Sequence, residues 1–213
     1  MSFPHSIFLD LDGTLTDPML GITRCVQHAL EQLDEPQPAA EALTWCIGPP
    51  LLESFSQLVG ADRAPEAVQH YRDRFADIGL YENTLYPGIP EALAQLQVAG
   101  CRLYLATSKP LVFARRIVEH FGLEQSFTEL FGSELSGALS NKADLLTHAL
   151  AATSADPRTS LMVGDRKHDM LGARAVAMAP VGVLYGYGDE AELLEHGAQS
   201  LIQTPLQLGG LAS

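Results

Sequence analysis

Ser6-Ile7-Phe8-Leu9-Asp10-Leu11-Asp12-Gly13-Thr14-Leu15-Thr16-Asp17 decides how the rest of the chain is read. The run up to Leu9 is mostly apolar, the pattern of a buried strand. Residues i and i+2 of a strand share a side, so Asp10 and Asp12 project together from the end of a core strand. Two carboxylates held close and partly desolvated repel each other, which favours a shared proton or a divalent cation. Either one splits the pair into a nucleophile and an acid/base. The plainer alternative is an Asp-Gly turn closing the strand, with Asp12 present for the turn. Matching segments further along the chain favour the catalytic reading.

Three of those segments read as core strands ending in polar residues: Arg102–Thr107, Ser160–Asp165 and Pro180–Tyr185. Amphipathic helical patterns alternate with them. Ile89, Ala92, Leu93 and Leu96 form one apolar face, closed by Gly100. Ala114, Ile117, Val118 and Phe121 form a second, closed by Gly122, and Leu145, Leu146, Ala149 and Leu150 a third. Alternation of this kind predicts a parallel sheet with helices on both faces, its functional residues at the carboxyl ends of the strands. Asp10, Asp12, Thr107 and Asp165 all fall there. Between Asp17 and about Leu85 the alternation stops. Asp17-Pro18 starts a helix carrying Ile22, Val26, Ala29, Leu30 and Leu33. Breaks at Pro36, Pro38 and Gly48-Pro49-Pro50 separate further helices, and Pro65 opens one that ends at Gly79. This predicts an all-helical insert at 18–85, within a core made of 1–17 and 86–213.

The 213 residues are enough for such a core and insert. With 18% charged residues and a mean hydropathy of +0.07, the chain is globular in composition. A net charge of −13 argues against a nucleic-acid polymer and against an anionic membrane surface as partner. It allows a small anionic substrate if a metal and a few cations are focused in one cleft. The three lysines, Lys109, Lys142 and Lys167, lie in or beside the segments assigned to that cleft. Cys25, Cys46 and Cys101 are odd in number and lack metal spacing, which reads as buried thiols. With no leader pattern and no apolar run long enough to span a bilayer, the expected location is the cytoplasm. Nothing in the sequence reads out an oligomeric state.

Thr107-Ser108-Lys109-Pro110 offers hydroxyls and backbone N–H groups to a phosphate at a strand-to-helix turn, or else an ordinary helix cap. Lys142, after Ser140-Asn141 and before an amphipathic helix, is a candidate cation or a solvated surface lysine. In Gly164-Asp165-Arg166-Lys167-His168-Asp169, Gly164 permits close backbone approach and Asp165 offers oxygen to a hard cation. Asp169, one helical turn on, is a second site carboxylate or one stabilised by a helix N-terminus.

Together these segments resemble the haloacid dehalogenase superfamily of phosphatases, from about Phe3 to Leu208. Asp10–Asp17 matches the first motif of the family, Thr107 the second, Lys142 the third, and Gly164-Asp165 with Asp169 the fourth. Lys142-Ala143 departs from the Lys-Pro of many relatives. The resemblance implies a Rossmann-like parallel sheet with the helical insert as a mobile cap. It implies Asp10 as a nucleophile forming an aspartyl-phosphate, and Asp12 as the acid that protonates the leaving oxygen and then activates water. Thr107 and Lys142 would hold the phosphoryl group. Mg²⁺ would be bound by the Asp10 side chain, the Asp12 carbonyl and Asp165, with Asp169 in support. Gly13, Thr14, Ser108 and Lys109 are the core's candidates for substrate binding. Tyr81–Asn83, Tyr86–Gly88, Ala106–Pro110, Phe131–Gly137 and Asn141-Lys142 look like the branch named phosphoglycolate phosphatase or 5′-nucleotidase.

A small phosphorylated metabolite is thus the expected partner, phosphoglycolate first and a nucleoside monophosphate as the alternative. Sugar-phosphate hydrolysis or a phosphoglucomutase-like role ranks lower. The latter would use Arg24, Arg63, Arg72 or Arg74 on a second phosphate, although at least three of these are expected on solvated helix faces. Dehalogenases of the superfamily lack the second aspartate, and the imine-forming phosphonate-cleaving relatives need a cap lysine absent from 17–85. Receiver domains of signalling pathways share the chemistry but are shorter and carry no insert. A degenerate regulatory member would have lost one of Asp10, Asp12, Lys142 or Asp165. Ile47, Gly48 and Pro49, beside Trp45, form a stiff loop that either selects the leaving group or merely joins two helices.

Overall fold

The computed structural model describes residues 6–212, so the start of the resemblance at Phe3 lies outside the described residues. In chain order the elements are β1 (Ser6–Leu9), β2 (Thr16–Asp17), α1 (Met19–Gln32), α2 (Leu51–Val59), α3 (Ala64–Asp77) and β3 (Thr84–Leu85). Then come α4 (Ile89–Val98), β4 (Arg102–Pro110), α5 (Leu111–His120), β5 (Glu129–Ser133), α6 (Lys142–Thr153) and β6 (Ser160–Gly164). The last are α7 (Lys167–Ala175), β7 (Ala179–Val183), α8 (Glu190–Glu195) and β8 (Ser200–Ile202). The chain divides into two compact units, Met1–Thr16 with Leu85–Ser213, and Asp17–Thr84.

The first unit is built on a six-stranded sheet in the order β5-β4-β1-β6-β7-β8, with every pairing parallel. Ser6 pairs with Arg102 on one side and Ser160 on the other, which makes β1 central. From β1 the chain builds outward through β4 to β5, then returns across β1 to build the other way. Strand order therefore reverses at β1, and in such sheets the ligand crevice opens at that point. Phe8 lies in register with Tyr104 and Met162, and its ring stacks on Tyr104 at 4.8 Å. These side chains share a core with Leu145, Leu146 and Ala149 of α6 and Ala173 of α7. Ile7 and Leu9, with the opposite parity, are equally buried, so the sheet is covered on both faces. Burying one such side chain stabilises the fold by roughly 1.5–3 kcal/mol.

The predicted strands are all present, with small shifts at their ends. β4 runs on to Pro110 through a register shift beyond Thr107, where a turn was expected. Two strands of this sheet escaped the reading, β5 and β8, which are its two edges.

The second unit is helical apart from the two-residue β2 and β3, which pair at the two chain crossings. Asp17 Oδ1 accepts the Met19 N–H at 3.0 Å, which starts α1 at the expected Asp-Pro. Tyr71 stacks on Phe75 and meets Phe55 edge-on, tying α3 to α2. Helix α3 stops at Asp77, before the predicted Gly79, where a short 3₁₀ turn covers Gly79–Tyr81. The insert arginines correct an expectation, because three of them are ion-paired rather than simply solvated. Glu82 holds both Arg24 and Arg74 at 2.7 Å, while Arg63 pairs with Glu35 and bonds the Leu33 carbonyl. All three cysteines are buried thiols without disulfides, and burial pushes the Cys46 thiol up to about 11. Among the described residues no helix is long and apolar enough to cross a membrane.

Candidate active site

After Leu9 the chain folds tightly around one carbonyl. The N–H groups of Leu15 and Thr16 both reach Leu11 O, at 2.9 and 3.0 Å, and Gly13 N–H reaches Thr16 O at 2.7 Å. Gly13 sits at φ +80°, and a Cβ there would lie 2.0 Å from Asp165 Oδ2. Only glycine lets the first motif pass so close to the fourth. This loop sets Asp10 and Asp12 on different partners. Asp10 Oδ1 lies 3.2 Å from Lys142 Nζ, and Asp12 Oδ2 lies 2.8 Å from Lys109 Nζ.

Lys142 opens α6, with Asn141 capping the helix by accepting the N–H groups of Ala143 and Asp144. Its side chain is buried, which rules out the solvated-lysine alternative. The ammonium reaches Ala106 O at 2.8 Å and Asp169 Oδ1 at 2.7 Å as well as Asp10, three acceptors for three donors. Room for its stem comes from Gly172 of α7, where a Cβ would lie 2.6 Å from Lys142 Cγ. Burial pulls the lysine pKa down, but Asp10 and Asp169 more than offset it, and the net direction is up. Lys142 is held charged.

Asp165 follows β6 and is buried, and its Oδ2 accepts the Tyr187 N–H at 2.8 Å. Asp169, in the first turn of α7, accepts the Arg166 N–H at 3.1 Å, so it serves the helix start and Lys142 at once. Thr107 is buried in β4 just before its register shift, and its hydroxyl accepts the Lys109 N–H at 3.3 Å. Neither it nor Ser108 caps α5, because β4 continues past them. Ser108 presents its carbonyl to the Ser133 hydroxyl at 2.8 Å.

Asp10, Asp12, Lys109, Lys142, Asp165 and Asp169 therefore form one linked charged cluster. Thr107 follows directly on Ala106, whose carbonyl holds Lys142. Ile47, Gly48 and Pro49 belong to the other unit, where the Ile47 side chain is fully buried. The sequence reading missed Tyr185, Gly186, Tyr187 and Gly188, which pack on Asp165 and the first motif. Two glycines immediately after a core strand were the available signal. It also missed Gly172.

One ammonium cannot balance the buried carboxylates of Asp10, Asp165 and Asp169. Burial, then Asp169, pushes the Asp165 carboxyl well above its ordinary value, and burial raises Asp169 against the pull of Lys142. Asp10, Asp165 and Asp169 each offer an oxygen within 4.8 Å of the others. Asp165 Oδ1 is buried with no hydrogen-bond partner among the described residues. Hard oxygens, excess negative charge and an orphaned acceptor fit a hard divalent cation such as Mg²⁺. Asp12 is raised as well, chiefly by burial and against Lys109, so it keeps a proton more readily than a free carboxyl.

A family model for haloacid dehalogenase-like hydrolases matches residues 7–183. A 5′-nucleotidase of Pseudomonas aeruginosa is 50% identical to this chain, covering 92% of it and 89% of its own length. Tyrosine-protein kinase PtkA of Mycobacterium tuberculosis is 42% identical over 87% of this chain, which spans 64% of the kinase. A phosphoglycolate phosphatase of Haemophilus influenzae is 26% identical over 89% of each chain. In structure, a predicted phosphatase from Clostridium acetobutylicum matches with a TM-score of 0.94 and 36% identity over 98% of each chain. With the site at the strand-order reversal and a family match across both motif ends of the core, the chain belongs to the haloacid dehalogenase-like hydrolases.

Proposed function

We propose that this phosphatase of the family hydrolyses small phosphomonoesters with Mg²⁺, through an aspartyl-phosphate on Asp10. The observation that carries the reading is the buried Asp10–Lys142–Asp169 cluster beside the unpartnered Asp165 Oδ1. The Asp10 side chain and Asp165 would hold the cation with the Asp12 carbonyl, Asp169 supporting them. When bound, it supplies positive charge to the phosphoryl oxygens.

Asp10 attacks phosphorus, and the bond to the leaving oxygen breaks as the new Asp10–phosphorus bond forms. Asp12 gives its proton to that oxygen and later takes one from a water that attacks phosphorus, breaking the Asp10–phosphorus bond and releasing phosphate with Asp10 restored. Lys142 keeps Asp10 oriented and adds charge to the phosphoryl group, and Thr107 and Ser108 would offer it hydroxyl and backbone donors. Lys109 holds Asp12. Phosphoryl transfer needs positioning and charge more than covalent machinery, and this cluster provides both.

The resemblance of the sequence to the phosphoglycolate phosphatase branch and the name of the 50% identical relative point to two substrates, 2-phosphoglycolate and nucleoside 5′-monophosphates. The higher identity favours the nucleotide. By the family resemblance the helical unit would be the cap, and Gly48-Pro49, next to the buried Ile47, its proposed selector of the leaving group. A panel of both substrates with sugar phosphates, ranked by kcat/KM with Mg²⁺, tests this. ATP belongs in the panel as a phosphoryl donor because of the kinase relative. No phosphate release from any monoester refutes the reading. Replacement of Pro49 that scales all substrates equally refutes the loop's role.

A further inference from the structure

The segment after β7, Leu184-Tyr185-Gly186-Tyr187-Gly188, has no part in the chemistry just described, yet it touches two of the four motifs. The Tyr185 hydroxyl donates to the Thr14 carbonyl at 3.0 Å, inside the first motif. Its ring meets Tyr86 edge-on at 5.1 Å, and the Tyr86 N–H bonds Leu15 O at 3.1 Å. Two residues on, the Tyr187 N–H takes Asp165 Oδ2. That leaves Oδ1 as the oxygen without a hydrogen bond. The backbone between these contacts lies as close as glycine allows. A Cβ at Gly186 would lie 2.4 Å from both the Gly13 carbonyl oxygen and Asp165 Cβ, and one at Gly188 would lie 2.1 Å from Asp165 O. Side chains at either position would drive the fourth motif away from the first.

We propose that Tyr185–Gly188 is a positioning clamp, which locks the first-motif loop and Asp165 in one register and turns Asp165 Oδ1 toward the cation. This rests on the reading of Asp165 as a metal ligand. Tyr185 acts through Thr14, whose carbonyl its hydroxyl holds. Partners that orient metal ligands commonly change affinity by ten- to a hundredfold when removed.

The experiment is a thermal melt of EDTA-stripped full-length protein titrated with Mg²⁺ alone, for wild type, Tyr185→Phe and Gly186→Ala. Tyr185→Phe keeps the ring against Tyr86 and removes one hydrogen bond. Its metal-free melting temperature should stay within a few degrees of wild type. The Mg²⁺ concentration giving half the stabilisation should rise about tenfold. Its lost kcat should return as Mg²⁺ is raised, whereas a purely structural role would lower stability equally with and without the ion. Gly186→Ala should shift the midpoint further. If it does not fold, Tyr185→Phe decides alone. An unshifted Tyr185→Phe midpoint beside a responsive wild type overturns the clamp. A wild type blind to Mg²⁺ removes the metal reading and the clamp with it.

Discussion

Asp10 and Asp12 are two residues apart, yet their partners divide them. Asp10 is held by Lys142 and Asp12 by Lys109, and that division should appear in kinetics. Asp10→Asn should lower turnover of every substrate by on the order of a thousandfold or more, as expected for loss of a covalent nucleophile. Acid-quench assays should then find no base-labile, hydroxylamine-sensitive phosphoenzyme. Asp12→Asn keeps the backbone carbonyl and should lose about a hundredfold or more on alkyl phosphates. Its loss on p-nitrophenyl phosphate should be much smaller, because that leaving group needs little protonation. Equal losses on the two would show that Asp12 is not the acid. At this scale the sequence was most legible in the first motif, where two carboxylates at i and i+2 after an apolar run, taken with the later segments, pointed to a charged site at the strand's end. It was least legible at Lys109. Nothing in Thr107-Ser108-Lys109 says that the lysine turns back to Asp12, because the register shift that aims it arises from the pairing of β4 with β5.

At the scale of elements, the insert is tied by Glu82, which reaches α1 through Arg24 and α3 through Arg74. The Arg74 guanidinium holds the Glu82 carboxyl below its ordinary value of 4.5. A carboxyl lowered in the folded state gives stability that is fully present above 4.5 and is lost as pH falls through the folded value. Glu82→Gln should therefore destabilise the protein by about 1–2 kcal/mol at pH 7 in urea melts. The difference from wild type should shrink as pH falls below 4.5. A difference that stays constant with pH would show that Glu82 acts by packing. Element types were largely legible from periodicity, as in α4, α5 and α6. The misses in the six-stranded sheet are β5 and β8, and outside it the short β2, β3 and α8. Glu129–Ser133 carries a glutamate, a glycine and a serine in five residues, and Ser200–Ile202 is three residues long. An edge strand has one neighbour and needs no continuous apolar run, so neither pattern stands out.

For the molecule as a whole, the acidic cluster couples the chemistry to stability. Folding gathers Asp10, Asp165 and Asp169 around one lysine, so a cation that binds only the folded state should raise the melting point. At a hundred times its Kd the gain is about 2.7 kcal/mol. Asp165→Asn should abolish that gain and should melt no lower than wild type in EDTA, because it removes one of the crowded charges. Calorimetry with and without Mg²⁺ checks both halves. A separate consequence follows from the pairing of β2 with β3. Neighbouring strands run about 4.8 Å apart, so the polypeptide leaves the sheet-bearing unit and re-enters it through one narrow doorway. Bridging such a gap takes only a few residues and little chain entropy. The 17–84 unit is then a cassette, exchangeable between relatives without cutting any strand of the six-stranded sheet. Replacing residues 18–83 by a short Gly-Ser bridge should leave a cooperatively melting protein that still hydrolyses aryl phosphates slowly but ranks natural substrates poorly. A chain that no longer folds after that excision would show the doorway to be a buttress.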